Sequence, residues 1–338
     1  MQNAGMAVSM VYPILKSITR YGQDTQLFCE QVGFDLDLLH DAEARISGER
    51  YEQLMYQAAD FLDDDHFGLH QGQLTDMADL GILGYVMMHS GTIGESLIAY
   101  RRYNDILCSG FNLNWQIEGD EVRLRFYSEN PIKPMSRHCT EDMVSSIYQM
   151  IGHLSNRRIQ VRALTFQHSA PDHRSLYESI FGVTPLFEQE TNEMLLSKTV
   201  LEAPILYANA RLREMFERLA EETMGQLTEG QPFSRDVYHW MLKGMPSGLP
   251  TLEQTASEFH MSMRTLQSKL KQEQTSFTEL LTRVRKELAI SYLHLHQFSI
   301  TEVAYALHFS EPSAFQNAFK RWTGVTPRTF RMAEKKGM

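Results

Sequence analysis

Apolar residues in the first 200 positions change from helical to strand spacing along the chain. Positions 51–62 repeat apolar residues at three- and four-residue intervals, and further helices are predicted at 92–107 and 136–156. Positions 111–118 and 121–127 alternate apolar and polar residues around the turn Gly119-Asp120, which predicts a β-hairpin with one apolar face. Shorter elements follow: strands at 161–168, 185–187 and 193–197, and a helix at 175–181. Residues 1–204 are therefore predicted to form an α+β domain.

A separate apolar stripe follows this domain. Apolar residues recur at helical spacing between charged neighbours, namely Ile205, Ala208, Leu212, Met215 or Phe216, and Leu219. Such a helix could pack on its own domain or pair with a second copy of the chain. Because it lies between domains, we favour pairing, and assign 205–232 as a linker helix with a role in dimerisation. A Gly- and Pro-containing joint at 244–250 leads into the last part of the chain.

The last third of the chain contains one pattern twice, at 255–262 and at 303–310. In each copy a helical stretch carries an Ala, a His stands at the turn four residues later, and a Ser follows as the natural N-cap of a second helix. A short helix, a tight turn and a capped helix with one apolar stripe are typical of a helix-turn-helix. Residues 233–338 are predicted to form an all-α domain with two such units, HTH1 at about 251–272 and HTH2 at about 299–322. Two units in one chain favour DNA binding.

The distribution of charge supports this prediction. The whole chain is acidic, with 32 Lys+Arg against 42 Asp+Glu. Residues 251–338 carry 12 basic and 8 acidic residues, a net charge of +4, which leaves 20 and 34, a net charge of −14, for residues 1–250. Contact with phosphates requires only a local basic surface, so the acidic total does not argue against a nucleic acid.

Length and composition limit the remaining classes. A chain of 338 residues exceeds what one core usually organises, so two domains are expected. No uninterrupted apolar stretch is long enough for a membrane span, and no secretion signal is apparent at the N-terminus. The three cysteines are far apart in sequence, which indicates reduced thiols. We therefore expect a cytoplasmic protein with no membrane partner.

The C-terminal region, from about 233 to 331, resembles the DNA-binding domain of AraC/XylS-type transcription regulators. The motifs that carry this resemblance are Arg264-Thr265-Leu266-Gln267, Ser299-Ile300-Thr301-Glu302-Val303-Ala304, Phe309-Ser310-Glu311-Pro312-Ser313-Ala314-Phe315 and Ala318-Phe319-Lys320-Arg321-Trp322-Thr323-Gly324-Val325-Thr326-Pro327. The N-terminal domain is similar to the effector domain of the AraC-type subgroup that includes ornithine- and arginine-responsive regulators. That similarity rests on Leu83-Gly84-Tyr85, Gly94-Glu95-Ser96-Leu97, Phe166-Gln167-His168 and Leu201-Glu202-Ala203-Pro204.

The resemblance implies how the chain would bind double-stranded DNA. A long helix at about 277–296 would bridge the two units, which would enter successive major grooves. The base-reading positions carried over from the family are Arg264, Gln267 and Ser268 in HTH1, and Pro312, Ser313, Gln316 and Asn317 in HTH2. Lys271, Lys320, Arg321 and Arg328 are placed for phosphates. Since the outer faces of the two units differ, one monomer should bind an asymmetric site of two unlike halves. A homodimer is expected, with RNA polymerase as a further partner, and the position of the site relative to the promoter would decide between activator and repressor.

Three residues depart from the family pattern at positions where it usually has Gly. His260 and His308 occupy the two turns, and Gln274 replaces a further Gly. Gly is preferred at such positions because the turn requires a positive φ, which His tolerates with strain. In addition, Ser268 and Asn317 stand where Arg is common, which puts guanine recognition at those two positions in doubt.

The family also implies a small-molecule effector, of unknown identity, in the N-terminal domain. The candidate effector-binding residues are Arg102, Tyr103, Trp115, Arg125, Arg137 and His168, with Arg123, Tyr127 and His138 near them in sequence. Arginines on a half-buried hairpin would suit a carboxylate or phosphate ligand. The alternative is that Arg123, Arg125 and Tyr127 simply form the solvated face of the hairpin.

Catalytic motifs and metal-ligand spacings are not apparent in the sequence. It contains no phosphate-binding loop, dinucleotide fingerprint, G-x-S-x-G or H-E-x-x-H motif. We therefore expect neither an enzyme nor a bound cofactor or metal. Two hypotheses remain: a DNA-binding regulator controlled by a small molecule, or an effector-independent one whose N-terminal domain is a dimerisation or protein-binding module.

Overall fold

The computed structural model describes residues 5–41, 44–128, 134–228, 232–245, 248–294 and 298–334. The chain divides into two compact units. The N-terminal unit comprises the described residues 5–128 and 135–228, and the C-terminal unit comprises those from 232 onward together with Pro134.

The N-terminal unit is mainly helical. Its α-helices are α1 (Tyr12–Arg20), α2 (Thr25–Val32), α3 (Gly48–Leu62), α4 (Phe67–Leu74), α5 (Gly81–Met88), α6 (Ile93–Tyr103), α7 (Arg137–Ser155), α8 (Ser175–Phe181) and α9 (Ala210–Thr228). Short 3₁₀ helices span Val8–Val11, Leu36–His40, Asn104–Ile106 and Lys198–Val200. Side chains of Ser47, Thr92 and Ser136 accept backbone N–H bonds at the starts of α3, α6 and α7, so local capping sets where these helices begin.

An antiparallel sheet of four strands covers one side of these helices. The strands of the unit are β1 (Met6–Ala7), β2 (Arg45–Ile46), β3 (Phe111–Glu118), β4 (Glu121–Ser128), β5 (Ala163–Thr165) and β6 (Asn192–Ser197). The sheet has the order β3-β4-β6-β5, and β1 pairs separately with β2. The register Phe111↔Ser128 to Glu118↔Glu121 confirms the predicted hairpin, with Gly119 at φ 60° in its turn. The strand predicted at 161–168 is shorter, and 185–187 makes only an isolated bridge, between Leu186 and Thr165.

Helices α4 and α7 approach each other closely inside this unit. A Cβ on Gly68 would lie 2.3 Å from the His138 carbonyl oxygen, and one on Gly72 would lie 2.5 Å from the Asp142 carbonyl oxygen. Two glycines four residues apart therefore let the backbones touch. The Ser145 hydroxyl donates to the Leu69 carbonyl across the same contact, at 3.0 Å. As a result α7 is buried along most of its length, including its acidic residues Glu141 and Asp142.

Helix α9 packs on its own unit, against α5 and α6. Phe216 stacks on Tyr85 with ring centroids 4.9 Å apart, and Ala220 is completely buried. The helix begins at Ala210 rather than at 205, because the Asn209 side chain accepts the Leu212 N–H at 3.1 Å and so caps it. Of the two arrangements considered for this stripe, packing within the chain is observed, and pairing with a second copy stays a prediction. Positions 229–231 of the predicted linker lie outside the described residues.

The C-terminal unit is all helical in its described residues. Its helices are α10 (Phe233–Gly244), α11 (Leu252–Glu258), α12 (Met263–Gln272), α13 (Phe277–His294), α14 (Ile300–Ala306), α15 (Pro312–Thr323) and α16 (Pro327–Glu334). They enclose one apolar core, in which α13 packs against α10, α14, α15 and α16. The bridging helix is thus observed, and positions 295 and 296 of its predicted span lie outside the described residues. The structure confirms the fold class, α+β followed by all-α.

Candidate nucleic-acid interface and effector domain

HTH1 consists of α11, a turn and α12. The Thr251 side chain and Gln254 form a reciprocal capping box at the start of α11. The turn contains His260 at φ 51°, in the left-handed region that the sequence pattern requires. Ser262 then accepts the Thr265 N–H at 3.1 Å, so it caps α12 as predicted.

Helix α12 has a buried side and an exposed side. Leu266 and Leu270 are completely buried and anchor the helix on α10 and α11. The side chains predicted to contact DNA lie on the exposed side: Arg264, Gln267, Ser268 and Lys271. One face of α12 is therefore available to a groove while the opposite face is held by the core.

HTH2 repeats this scaffold in α14 and α15. Ser299 and Glu302 form its capping box, and His308 lies at φ 57°. The second turn has additional support from side chains. The Arg285 guanidinium donates to the carbonyls of Leu307 and His308, both at 3.0 Å, and the His308 imidazole Nε2 lies 2.8 Å from the Met245 carbonyl oxygen.

Helix α15 begins one residue later than the repeat predicts. Ser310 is not its N-cap: that position belongs to Glu311, which makes no side-chain cap bond, and the helix starts at Pro312. Proline at the first helical position lacks an N–H that needs a cap, and it forces the residue before it into extended geometry. Glu311 accordingly has φ −143° and ψ 143°.

The predicted DNA-contacting residues of HTH2 also occupy the outer side of their helix. Phe315 and Phe319 are completely buried, as their counterparts in α12 are. Ser313, Gln316, Asn317, Lys320 and Arg321 are exposed, and Pro312 is half-buried. The structure thus places each unit's candidates together on one helix face.

The candidate effector residues do not converge in the same way. Arg102 and the Tyr103 hydroxyl both contact Glu221 of α9, at 2.8 and 3.2 Å. Trp115 lies on the core side of the hairpin, with the Arg101 guanidinium 4.7 Å from its ring centroid.

Arg125 lies on the opposite side of the sheet from Trp115. Arg123 and Arg125 both contact Glu193. Arg125 Nε lies 2.9 Å from Glu193 Oε1, and Arg123 Nη1 lies 3.0 Å from Glu193 Oε2. These contacts lower the pKa of Glu193 against the opposing effect of burial. The sheet arginines therefore already have a carboxylate partner within the protein.

Arg137 and His168 share a second cluster, around the buried carboxylate of Glu141. Arg137 Nε lies 2.8 Å from Glu141 Oε1, the Tyr177 hydroxyl donates to the same oxygen, and His168 Nε2 is 3.7 Å away. Burial lowers the pKa of His168. It also lowers the pKa of His138, the residue after Arg137, to about 4. His138 is therefore neutral, and its Nδ1 accepts the Gly68 N–H at 3.4 Å. Like the other arginine candidates, Arg137 is paired with carboxylates of the protein itself.

An internal cavity of about 50 Å³ lies elsewhere in this unit, lined by α1, α3, α4, α6 and α7. None of the predicted effector residues lines it. Its polar wall includes Tyr51, Gln71 and Asp142, and the rest is mostly apolar. Asp142 Oδ1 and Gln71 Oε1 are both buried without a hydrogen-bond partner. Two features of the sequence hint at this cavity. Gly68 and Gly72 are spaced for a close helix contact, and Asp142 is an acid within a largely apolar stripe of the helix at 136–156.

Within the described ranges of the chain, no cluster of three or more His, Cys, Asp or Glu side chains is arranged to hold a metal ion. Nor does any helix in those ranges combine the length and apolar character that crossing a membrane requires.

Two helix-turn-helix units around one bridging helix, in a chain that also carries an α+β unit, define a DNA-binding regulator. Comparison with known families agrees. The N-terminal arabinose-binding domain of AraC transcription regulators matches residues 22–205, which is more than half of the chain, and a helix-turn-helix domain matches 255–333. The chain belongs to the AraC family of transcription regulators: it joins a ligand-binding N-terminal domain to a DNA-binding domain.

Relatives of similar length are also transcription regulators. The ornithine utilization regulator of Pseudomonas aeruginosa is 28% identical over 326 residues, 96% of each chain. The regulator VqsM of the same organism is 26% identical over 78% of this chain and 83% of its own. The regulator VirS of Mycobacterium tuberculosis is 23% identical over 92% of this chain and 91% of its own.

Proposed function

We propose that one monomer reads an asymmetric DNA site through the exposed faces of α12 and α15, under the control of a small molecule bound in the N-terminal unit. The observation that carries this proposal is the pair of unlike outer faces on equivalent scaffolds. HTH1 presents Arg264, Gln267 and Ser268, whereas HTH2 presents Ser313, Gln316 and Asn317. Each face is opposed by a buried apolar pair that holds the helix in place.

The chemistry of these side chains suggests their roles. Arg264 can bond guanine bidentately, and Gln267, Gln316 and Asn317 can each bond adenine. Ser268, Pro312 and Ser313 are short enough to leave the bases close to the helix. Lys271, Lys320, Arg321 and Arg328, all exposed, would contact phosphates and set position rather than sequence.

Control by a small molecule is supported by the match to an arabinose-binding domain and by the relative named for ornithine utilization. A ligand can shift the DNA-bound state only by the difference between its affinities for the two states. The proposal is therefore that effector binding changes how the C-terminal unit is presented to DNA.

A second copy of the chain is the proposed protein partner, through α9. Met215 and Leu219 remain 41% exposed on this helix, while Phe216 packs inward. Sedimentation of the wild type and of Met215→Glu/Leu219→Glu tests this, since the double variant should be monomeric. RNA polymerase, the other proposed partner, is tested by transcription in vitro.

The deciding experiment is selection of bound DNA from a random pool, with and without cell extract. We expect one asymmetric site with two unlike halves, and an extract-dependent change in its affinity. A palindromic site within one monomer's footprint would contradict the reading by two unlike helices. An affinity unchanged by extract would favour the effector-independent alternative.

Asn317→Ala tests direct readout by HTH2. It should relax the preference at one base position by about 1–3 kcal/mol and leave the salt dependence of binding nearly unchanged, because no phosphate contact is lost. Lys320→Ala is the matched control, and it should weaken all sequences alike and reduce the salt slope. Equal losses on selected and random DNA for Asn317→Ala would contradict the role.

A further inference from the structure

The cavity beside α7 contains an acidic group, Asp142, with one carboxylate oxygen that has no hydrogen-bond partner. Asp142 is about nine-tenths buried, and its Oδ1 has no hydrogen bond, although Gln71 lies beside it. Burying a carboxylate without a partner costs several kcal/mol, so such groups are normally paired. Glu141, the residue just before Asp142 in the helix, is paired in the usual way, because Arg137 and Tyr177 both donate hydrogen bonds to its Oε1. The two adjacent acids therefore differ in one respect: only Glu141 has a cation of the protein beside it.

Asp142 lies on the side of α7 that lines the cavity. Cys139, Asp142, Ser146 and Met150 recur at helical spacing and all line it. Gly72 allows this stretch of α7 to pack directly on α4, since a Cβ there would lie 2.5 Å from the Asp142 carbonyl oxygen. Asp142 therefore faces the cavity from a closely packed part of the helix.

Most of the remaining wall is apolar, and methionines contribute much of it. A volume of about 50 Å³ holds about three or four water-sized groups. Met6, Met10, Met143 and Met150 contribute to the lining. Methionine side chains are unbranched and repack readily. The cavity can therefore admit a longer aliphatic stem than a volume of about 50 Å³ indicates. Met10 and Phe111, which also line the cavity, are only partly buried.

We propose that this cavity is the effector site and that it takes a small organic ammonium compound, with the ammonium group on Asp142 and a short aliphatic stem among the methionines. The assignment rests on the proposed control of this regulator by a small molecule. It differs from the carboxylate or phosphate ligand expected from the arginines, each of which has a carboxylate of the protein as its partner. Burial raises the pKa of Asp142 to about 7, and the hydrogen bond from Gln71 opposes this shift. An ammonium ligand would compensate the ionised form.

The test uses the full chain at pH 8 and a series of n-alkylammonium chlorides from methyl to butyl, each paired with the n-alcohol of equal length. Isothermal titration measures binding to the wild type, to Asp142→Asn, and to Asp60→Asn as the matched control at an exposed acid. Hydrogen bonds to charged groups lead us to expect about 10-fold to 100-fold tighter binding of the ammonium member of each pair. Asp142→Asn should remove that difference, and Asp60→Asn should keep it.

A second variant keeps the test decisive if Asp142→Asn fails to fold. Ser146→Leu adds a larger side chain to the cavity wall without changing any charge, and it should abolish binding of the propyl and butyl members first. Equal binding of ammonium and alcohol, binding unchanged in Asp142→Asn or Ser146→Leu, or no binding of any ammonium compound by the wild type would each overturn the assignment.

Binding of the selected DNA site separates this proposal from effector control in general. If an alkylammonium compound binds through Asp142 without changing DNA affinity, the site assignment holds and its role in control fails. If a compound from cell extract changes the DNA affinity of the wild type and of Asp142→Asn equally, control holds and the assignment of this cavity fails.

Discussion

HTH1 and HTH2 share one scaffold but contact the rest of the C-terminal unit through side chains of opposite charge, an acid in HTH1 and an arginine beside HTH2. In HTH1, Glu273 beyond the end of α12 accepts the N–H groups of Phe233 and Ser234, at 2.6 and 2.7 Å, at the start of α10. In HTH2, Arg285 of α13 donates to two carbonyls just beyond the end of α14. An acid at a helix start and a base at a helix end each complement the helix dipole. The equivalent recognition helices α12 and α15 are therefore positioned by unrelated contacts.

This difference in support predicts unequal sensitivity of the two units. HTH2 depends on a half-buried arginine that also lies 4.6 Å from the ring centroid of Phe309. HTH1 depends on a carboxylate at the end of its own recognition helix, and its turn residue His260 is exposed.

Arg285→Ala should have the largest effect. It removes two charged hydrogen bonds and a cation–π contact, so we expect the C-terminal unit to lose about 3 kcal/mol of unfolding free energy. Arg283→Ala is the control, since that exposed arginine contacts only the Tyr238 ring among the interactions described. Hydrogen exchange should report the loss first in α14 and α15. Equal loss of protection in α11 and α12 would show that the support is not local to HTH2.

Glu273→Ala should cost about 2 kcal/mol, because it leaves two N–H groups at the start of α10 without their acceptor. The loss should appear at α10 and α12 in the same exchange experiment, the reverse of the Arg285→Ala pattern. Glu258→Ala, at an exposed acid of α11, is the matched control. If both substitutions weaken the whole unit uniformly, the two ties act on one cooperative structure and the distinction between them fails.

Gln267→Ala and Gln316→Ala compare the same side chain at equivalent positions of the two recognition helices. Each should lose about 1–2 kcal/mol of discrimination at one base pair, as expected for a lost contact to adenine. The affected positions should fall in different halves of the selected DNA site. Loss at the same position for both variants would be incompatible with one half-site per unit.

His260→Gly and His308→Gly should have the smallest effects, with different outcomes. Both residues have a positive φ that favours glycine, so His260→Gly should stabilise the C-terminal unit by about 0.5–1 kcal/mol. His308→Gly loses the imidazole contact to the Met245 carbonyl, which offsets that gain. Thermal unfolding should therefore separate the two variants. An equal rise in Tm for both would mean that the His308 contact contributes nothing.

Local patterns predicted the C-terminal unit well. Ser262 caps α12 as predicted, and the three positions where glycine would be usual have φ between 51° and 57°. Capping, turn geometry and apolar stripes involve residues a few positions apart, so the sequence contains them directly. The exception, Ser310, failed because Pro312 changed the local geometry of the helix start.

The N-terminal unit shows what sequence alone could not determine. Patterns along the sequence predicted the hairpin, several of the helices and the family of regulators. The packed structure added contacts that these patterns do not contain: Arg102, Arg125 and Arg137 meet carboxylates of the protein, α9 packs on its own unit, and Asp142 faces a cavity with one carboxylate oxygen unpartnered. The physical reason is the range of the contacts. Arg102 meets a residue 119 positions away, and Arg125 one 68 positions away. Such pairings depend on how the elements pack, which no local pattern of residues records.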